Sequence, residues 1–235
     1  MQKRMLFAPM VVALFLSACA VIPGAGNVVT REETFTDFDK VDVSDAFHVD
    51  ISQGDTFSVV LRIDENVVQY LEVVKEGSTL KIGLKPAAIA IGPRTLEAEV
   101  TMPELTRLDL GGASHGTITG FKSTKGLHVD VSGASHLTGD IEAGDARFDI
   151  SGASHATLTG SGQDVTIDAS GASHVDLADF PVADANVEAG GASHVTVNAS
   201  GRLDVDASGA SHVYYLGNPT LGTVNADDSS SVEHR

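Results

Sequence analysis

The chain has 235 residues, of which 15 are basic and 32 acidic, and its formal net charge is −17. Such acidity makes nucleic-acid phosphates and anionic lipid headgroups poor partners, except through an acyl anchor or a bridging cation. Cys19 is the only cysteine, which excludes an intrachain disulfide, so the fold must be stable through packing alone. The length suits one or two domains with a substantial buried interior.

Residues 1–18 predict an export signal. Lys3 and Arg4 precede an apolar run that is too short to span a membrane. The segment ends in Leu-Ser-Ala-Cys19, which resembles a bacterial lipoprotein box in which the cysteine is acylated and becomes the mature N terminus. Ala20 follows, as in lipoproteins sorted to the outer membrane. We therefore expect an exported protein anchored in the cell envelope through Cys19; a plain secretion signal with an incidental cysteine is the alternative.

Residues 19–29 predict a tether of small residues with glycine and proline. A β-rich domain follows over 30–232. Its first part, 30–104, shows strand-like alternation without a visible period, and residues 66–71 are the only candidate for a helical turn in the mature chain. We interpret this part as irregular first coils or as a cap that protects the open end of a repeat structure.

The second part, 105–232, contains the tetrapeptide Gly-Ala-Ser-His six times, at steps of about 20 residues. This period predicts an all-β fold, a parallel β-helix or β-solenoid in which each repeat forms one coil. Glycine allows a sharp corner, whereas the abundance of glycine, serine and β-branched residues makes helix unlikely. The histidines of the six copies are His115, His136, His155, His174, His194 and His212.

An acid occurs six residues before each of these histidines, between mostly apolar neighbours. Period-two alternation places the acid and the histidine on the solvent face of their strands, and it turns the serine before each histidine inward or into the corner. Successive coils then repeat these positions about 4.7–4.9 Å apart, so we predict one carboxylate ladder and one imidazole ladder. The acids are Asp109, Asp130, Asp149, Asp168, Glu188 and Asp206.

Residues 224–232 predict one more corner, in which serine replaces Gly-Ala. In this alignment Val232 takes the place of the histidine, so the imidazole ladder is expected to end at His212.

The run from about 30 to 232 resembles the head GIN domain family, a family of unknown function labelled as an auto-transporter adhesin. The resemblance implies a parallel β-helix-like solenoid similar to adhesin heads. The sequence departs from an auto-transporter because a lipoprotein box leads it and no C-terminal barrel follows. The resemblance depends on the order and spacing of Phe35–Val43, Phe47–Gly54, Asp64–Asn66, Leu80–Ile82, Met102–Leu105 and the repeated Ser-Gly-Ala-Ser corners.

The imidazole ladder has three interpretations. Repeat duplication carries histidine along with Gly-Ala-Ser, which favours a purely structural ladder. Neighbouring imidazoles are also ligands for zinc, nickel or copper, with Asp176 or the acids as further partners. The third interpretation is a pH-sensitive surface.

The carboxylate ladder has two interpretations, a solvated face with screened repulsion or a calcium-binding face; the first is favoured because exposed charges interact weakly in salt. Six equal sets of Asp, Ser and His on an outer face provide no distinguished catalytic site, so we expect no enzyme and no required cofactor. The sequence thus predicts a lipid-anchored envelope protein with a binding or structural role. Its expected partners are the membrane, through Cys19, and a surface glycan or protein ligand.

Overall fold

The computed structural model describes residues 20–22, 26–85, 88–90 and 94–235, with backbone only for 20–22 and 88–90. The predicted leader 1–18 and the predicted acylation site Cys19 lie outside the described residues.

Strands dominate the described chain, together with one turn of 3₁₀ helix at Val68–Tyr70, where the sequence predicts its single helical turn. The strands are β1 (Ala20–Ile22), β2 (Val28–Glu33), β3 (Lys40–Val43), β4 (His48–Gln53), β5 (Ser58–Asp64), β6 (Leu71–Glu76), β7 (Thr79–Leu84), β8 (Ala88–Ala90), β9 (Leu96–Met102), β10 (Arg107–Leu110), β11 (His115–Lys122), β12 (Leu127–Val131), β13 (His136–Glu142), β14 (Ala146–Ile150), β15 (His155–Ser161), β16 (Val165–Ala169), β17 (His174–Val182), β18 (Ala185–Ala189), β19 (His194–Ala199), β20 (Arg202–Ala207), β21 (His212–Leu216), β22 (Thr220–Ala226) and β23 (Ser231–His234).

The repeat region forms a parallel β-solenoid, which confirms the predicted fold. Seven consecutive coils run from β10–β11 to β22–β23, and each coil gives one strand to each of two sheets. The 10-stranded sheet has the order β22-β20-β18-β16-β14-β12-β10-β3-β7-β6. The 11-stranded sheet has the order β2-β5-β9-β4-β11-β13-β15-β17-β19-β21-β23. A separate two-stranded sheet pairs β1 with β8.

The N-terminal part supplies both a coil and a cap. Strands β3 and β4 form a coil that pairs in parallel with β10 and β11 on one side and with β7 and β9 on the other. Strands β2, β5 and β6 pair antiparallel beyond them and cover that end. β2 begins at Val28, two residues before the predicted start of the folded domain. The chain therefore enters the solenoid at its capped end.

The interior consists of apolar columns produced by the period-two pattern. The residue before each ladder acid is almost fully buried in every repeat, because its side chain points inward while the acid points outward. The corner serines are also buried, as the sequence predicts. These buried residues before the ladder acids are Leu108, Val129, Phe148, Ile167, Val187 and Val205.

The corners need glycine for two reasons, which Gly171 illustrates. Its φ of +76° is a left-handed conformation that L side chains rarely adopt. A Cβ at this position would also lie only 2.5 Å from the carbonyl oxygen of Gly152 in the preceding coil. Stacked corners approach so closely that only a hydrogen fits there.

The last coil differs from the sequence alignment by one residue. Ser231, and not Val232, lies in register with His212, and its Oγ is 2.8 Å from Nδ1 of that ring. The predicted place of Val232 in the imidazole ladder is therefore wrong. Val232 pairs with buried Val213 and packs against the core, because a one-residue slip would turn this apolar side chain to solvent.

Candidate functional site

An unbroken column of seven imidazoles runs along the outer face of the 11-stranded sheet. The six predicted histidines stand in register on successive strands, and His48 on β4 adds a seventh ring before His115. Sequence reasoning missed His48 because its corner, Ser-Asp-Ala-Phe, lacks the Gly-Ala-Ser signature. The signal that was available is Asp42, which precedes His48 by six residues, as each ladder acid precedes its histidine.

The first four rings stack face to face. The ring centroids from His48 to His155 are 4.7, 4.9 and 4.8 Å apart, and neighbouring planes differ by 9° or less. The column is looser beyond His155, where the spacings around His174 widen to 5.8 and 6.0 Å with tilts of about 30°. Strand separation sets the tight spacing, because identical side chains in one rotamer repeat at the strand repeat.

The central rings form an accessible ridge. His115, His136 and His155 are exposed, and the small residues of the corners, such as exposed Ala134, lie on one side of them. A column of threonines lies on the other side, two residues along each strand, with Thr138 and Thr157 in register. The ring edges are therefore open to solvent along three coils.

Carboxylates approach the imidazole column near its first ring and in its looser half. Glu97 is in register with His48, and Asp50 pairs with Glu99 in the next column. Asp176 follows His174 by two residues on the same face and accepts a hydrogen bond from the backbone of Ala178.

Burial and then stacking oppose protonation of His115 and His155. Burial lowers the pKa of His115, and the neighbouring rings His48 and His136 lower it further by repulsion between like charges. Burial and the same kind of repulsion, from His136 and His174, lower the pKa of His155. His115 and His155 are thus neutral at pH 7, and each offers one hydrogen-bond donor and one acceptor.

The stacked rings do not converge on a metal. Within the part of the chain that the structure describes, no group of three or more His, Cys, Asp or Glu side chains is placed to hold an ion. Imidazole lone pairs lie in the ring plane, so parallel rings such as His136 and His155 direct them side by side. Two rings would have to rotate to share one ion. Metal ligation by the column stays a prediction.

The carboxylate ladder occupies the outer face of the other sheet and also gains a member, Asp42, in register with Asp109. Two acids of its first half are paired with arginine. Arg107 and Arg147 each pair with an acid two residues further along their own strand, Asp109 and Asp149, with N···O distances of 2.6 Å. The spacing Arg-x-Asp was visible in the sequence, since residues two apart on a strand share a face.

His128 joins this basic and acidic network. Its Nε2 is 2.7 Å from Asp149 Oδ2, and its Nδ1 is 2.8 Å from Nη1 of Arg107. A guanidinium only donates, so Nδ1 accepts and the ring proton resides on Nε2, which donates to the carboxylate. Burial and, next, the charge of Asp109 raise the pKa of Asp130 in the same column.

The second half of the carboxylate ladder forms no ion pairs within the described chain. Asp168, Glu188 and Asp206 are exposed, and no ion pair involves any of them among the described residues. They line a shallow groove of about 300 Å³ together with small corner residues. Calcium binding by this ladder stays a prediction.

A polar recess of about 460 Å³ lies where the cap meets the first imidazoles. His48, His115 and Thr117 line one side, and Arg62 and Glu97, paired at 2.8 Å, line the other. The sequence did not indicate this recess, because its second wall comes from the aperiodic part of the chain.

The family model described as "Putative auto-transporter adhesin, head GIN domain" matches residues 37–219. The chain belongs to the head GIN domain family. The match spans the β3–β4 coil, the cap strands that follow it and all six Gly-Ala-Ser-His repeats, so the resemblance expected from the sequence is confirmed.

Solved structures share the head GIN solenoid at low sequence identity. A "putative adhesin" from Bacteroides fragilis has a TM-score of 0.79 at 16% identity, over 91% of this chain and 100% of its own. A "Putative lipid binding protein" from Parabacteroides distasonis has a TM-score of 0.73 at 20% identity, over 92% of this chain and 100% of its own. A "putative adhesin" from Parabacteroides merdae has a TM-score of 0.67 at 15% identity, over 92% of this chain and 99% of its own. At such identities the likeness establishes the fold.

No curated protein matches this head GIN chain significantly. Within the described ranges, the structure contains no helix with the length and apolar character needed to cross a bilayer.

Proposed function

We propose that this head GIN protein is an adhesin-like binding protein of the bacterial cell envelope, and that the imidazole face is its binding surface. The observation that carries the proposal is the outward-facing column of seven imidazoles, continuous from His48 to His212, of which His174 and His212 are half-buried and the other five exposed. Fold alone does not set function, so the argument depends on this face and on its chemistry.

The face suits a glycan. Each neutral imidazole offers one donor and one acceptor, and the threonines beside the central rings add hydroxyl groups at the same repeat. Polyhydroxylated chains of repeating sugars present alternating donors and acceptors, which such an array matches. The polar recess at His48, with Arg62 and Glu97, adds charged hydrogen-bonding groups where the column begins.

The place where the chain enters the fold fits an anchor at Cys19. β2 lies at the capped edge of the 11-stranded sheet, and the repeats stack away from it. A lipid on Cys19 therefore places the cap toward the membrane and the repeats outward, where they meet an opposing surface. As part of the same proposal, the protein is sorted to the outer membrane, because Ala20 follows the acylated cysteine.

The proposed role of the repeated Asp, Ser and His residues is binding, without catalysis. Ser154 illustrates the reason: it is buried, and its Oγ accepts a hydrogen bond from the backbone N–H of Ser135 at 3.3 Å. The next residue, His155, points to solvent on the other face of the chain. A nucleophile and its base need to be within hydrogen-bond reach, which this alternation does not favour.

Glycan binding is tested on an array with purified protein that carries Cys19→Ser, so that no acyl chain is added. We expect retention on a subset of glycans and its loss in His136→Gln/His155→Gln. The matched control, Asp140→Asn/Glu142→Gln, changes other exposed residues of the same face and should bind as the parent does. No retention, or retention that the histidine changes leave intact, contradicts the proposal. If the protein still binds a host-cell surface that has been treated with periodate, its ligand is a protein instead of a glycan.

Capture of Zn²⁺, Ni²⁺ or Cu²⁺ by the same column is the second candidate, favoured by the accumulation of seven adjacent imidazoles. The loosened rings around His174, with Asp176 beside them, are the place where rotation is least hindered by stacking. Calorimetric titration with Zn²⁺ or Ni²⁺ tests it. No saturable heat, or heat that His155→Ala/His174→Ala does not change, removes this candidate. Glycan binding, by contrast, should be unaffected by a chelator.

A further inference from the structure

The two ladders lie on unlike faces of one molecule and have the same repeat. Each strand contributes one residue to its ladder, and the carboxylates lie on the 10-stranded sheet whereas the imidazoles lie on the 11-stranded sheet. Neighbouring strands in any sheet are about 4.7–4.9 Å apart. The rings of His115, His136 and His155 follow this repeat at 4.9 and 4.8 Å. A column of one kind on one copy can therefore match a column of the other kind on a second copy, residue for residue.

Each ladder contains a stretch that is open for such a contact. On the imidazole face it is the ridge of His115, His136 and His155, bordered by alanines and threonines, with no carboxylate in the adjacent threonine column of these coils. On the other face it is the groove lined by exposed Asp168, Glu188 and Asp206, which form no ion pairs within the described chain. One surface thus carries three imidazoles that can be protonated, and the other carries three carboxylates without an ion pair.

We propose that, under mildly acidic conditions, the His115–His136–His155 ridge of one copy docks into the Asp168–Glu188–Asp206 groove of a second copy. This self-association goes beyond ligand binding, because it joins copies of the protein to each other. The contact connects two unlike surfaces, so it leaves one ridge and one groove free and can continue to further copies.

Charge explains why acid is required. At neutral pH copies with a net charge of −17 repel each other, and His115 and His155, whose pKa values lie below the ordinary histidine value, add no positive charge to offset this repulsion. Burial and neighbouring rings hold the pKa of His115 and His155 below the ordinary histidine value of about 6.5, so protons are added to these rings only as the pH falls below that value. Within one copy neighbouring rings oppose this charging, whereas the carboxylates of a second copy favour it. Docking therefore takes up protons.

The other charged groups near the ridge are arranged around its edges. The groups at its first end are Asp45, Asp50, Glu97, Glu99, Arg62 and Arg94. Beside its last ring lies Asp176, which follows His174 by two residues. Further along the ridge strands lie Lys122, Asp140 and Glu142. Near the groove, Arg147 acts electrostatically on Asp168 and Glu188, and Arg202 pairs with Asp204. None of the negative groups follows a ridge histidine at the two-residue spacing, so the central rings can become a local positive patch.

Sedimentation velocity of the Cys19→Ser protein tests the proposal at pH 7.5 and 6.0 in low salt. We expect a monomer at pH 7.5, oligomers at pH 6.0, and dispersal of those oligomers by about 0.5 M salt, which screens charge over a few Å. A monomer at both pH values overturns the proposal. Both measurements stay above the sequence pI of about 4.7, where unspecific precipitation is expected.

Two complementary variants make the test specific. His115→Gln/His136→Gln/His155→Gln removes the ridge and keeps the groove, whereas Asp168→Asn/Glu188→Gln/Asp206→Asn removes the groove and keeps the ridge. Each variant alone should stay monomeric at pH 6.0, and an equimolar mixture should form a heterodimer, because one intact ridge and one intact groove remain. Oligomers from either variant alone, or no complex in the mixture, overturn the proposal. Far-UV circular dichroism and thermal unfolding verify that both variants fold.

The same variants separate this inference from the proposed glycan binding. The groove variant should lose self-association and keep glycan retention at pH 7.5, since its imidazole face is intact. The control Asp140→Asn/Glu142→Gln should keep both properties.

Discussion

His136 stacks on His155 with ring centroids 4.8 Å apart and ring planes within 3° of each other. This separation equals the distance between neighbouring strands in a sheet, which means that the backbone and not the rings sets the spacing. Two imidazoles held so close tolerate one proton far better than two. The ladder therefore links the stability of the solenoid to the protonation of its surface.

The first prediction concerns stability and pH. Burial and like-charged neighbours lower the pKa of His115 and His155 in the folded state, so below about pH 6.5 these two histidines bind more protons in the unfolded chain than in the folded one. Stability should be constant above this pH and fall as the pH drops from about 6.5 toward 5. Urea unfolding across pH 5–8, in dilute solution at high salt to exclude association, measures the slope. His115→Gln/His155→Gln should flatten it; an unchanged slope in that variant contradicts the coupling.

The second prediction separates the two reasons for a corner glycine. Gly171 at a corner and Gly120 at an irregularity within β11 have nearly equal φ values of +76° and +77°, but a Cβ meets the carbonyl oxygen of Gly152 at 2.5 Å in the first case and nothing within 4 Å in the second. Gly120→Ala should cost about 1–2 kcal/mol of unfolding free energy, from backbone conformation alone. Gly171→Ala should cost clearly more, because the backbone of two stacked corners must move apart. Equal losses in urea unfolding would refute the steric argument.

The repeat region was predictable from the sequence because two periods act there together. Alternation along each strand decides which side chains face out, and the step of about 20 residues decides which of them become neighbours, so both ladders follow. The first coil was not predictable in this way. His48 and His115 are adjacent in space, but β5 to β10 lie between them in the chain. No local pattern marks such a long-range pairing, and the corner before His48 lacks the signature of the repeats.

The partners of the ladder acids were only partly visible. The Arg-x-Asp spacing indicates the pair of Arg147 and Asp149, since both side chains share a strand face. The bond from His128 to Asp149 crosses from one coil to the next and also needs the correct rotamer, which no sequence period specifies. Likewise, the polar recess at His48 depends on how the antiparallel cap closes over the first coil.

The third prediction uses one substitution at two positions of the carboxylate ladder. Burial raises the pKa of Asp149, but hydrogen bonds from Arg147 and His128 outweigh it, so the pKa lies below its usual value. Asp149→Asn removes the acceptor charge of this network and should cost about 1.5–3 kcal/mol at pH 7. Asp206→Asn, in the same column without an ion pair, should be within about 0.5 kcal/mol of the parent.

The pH dependence of the effect of Asp149→Asn provides the control. A folded-state pKa below the unfolded value contributes stability at neutral pH, and this contribution disappears as the pH falls through the folded-state pKa. The difference in unfolding free energy between parent and Asp149→Asn should therefore shrink in acid, below about pH 4. A difference that is constant down to pH 3, or equal losses at positions 149 and 206, would show that the network does not stabilise the carboxylate.

The fourth prediction tests the register of the last coil. Ser231 lies beside His212 on the outer face, whereas Val232 packs against the core, so the two positions should respond in opposite ways to histidine. Ser231→His should extend the column by one ring, leave stability at pH 8 within about 0.5 kcal/mol, and steepen its loss in acid. Val232→His places a polar ring against the apolar interior and should cost about 1–3 kcal/mol already at pH 8. The reverse order of the two losses in urea unfolding would mean that the strand is shifted by one residue and that Val232 continues the column.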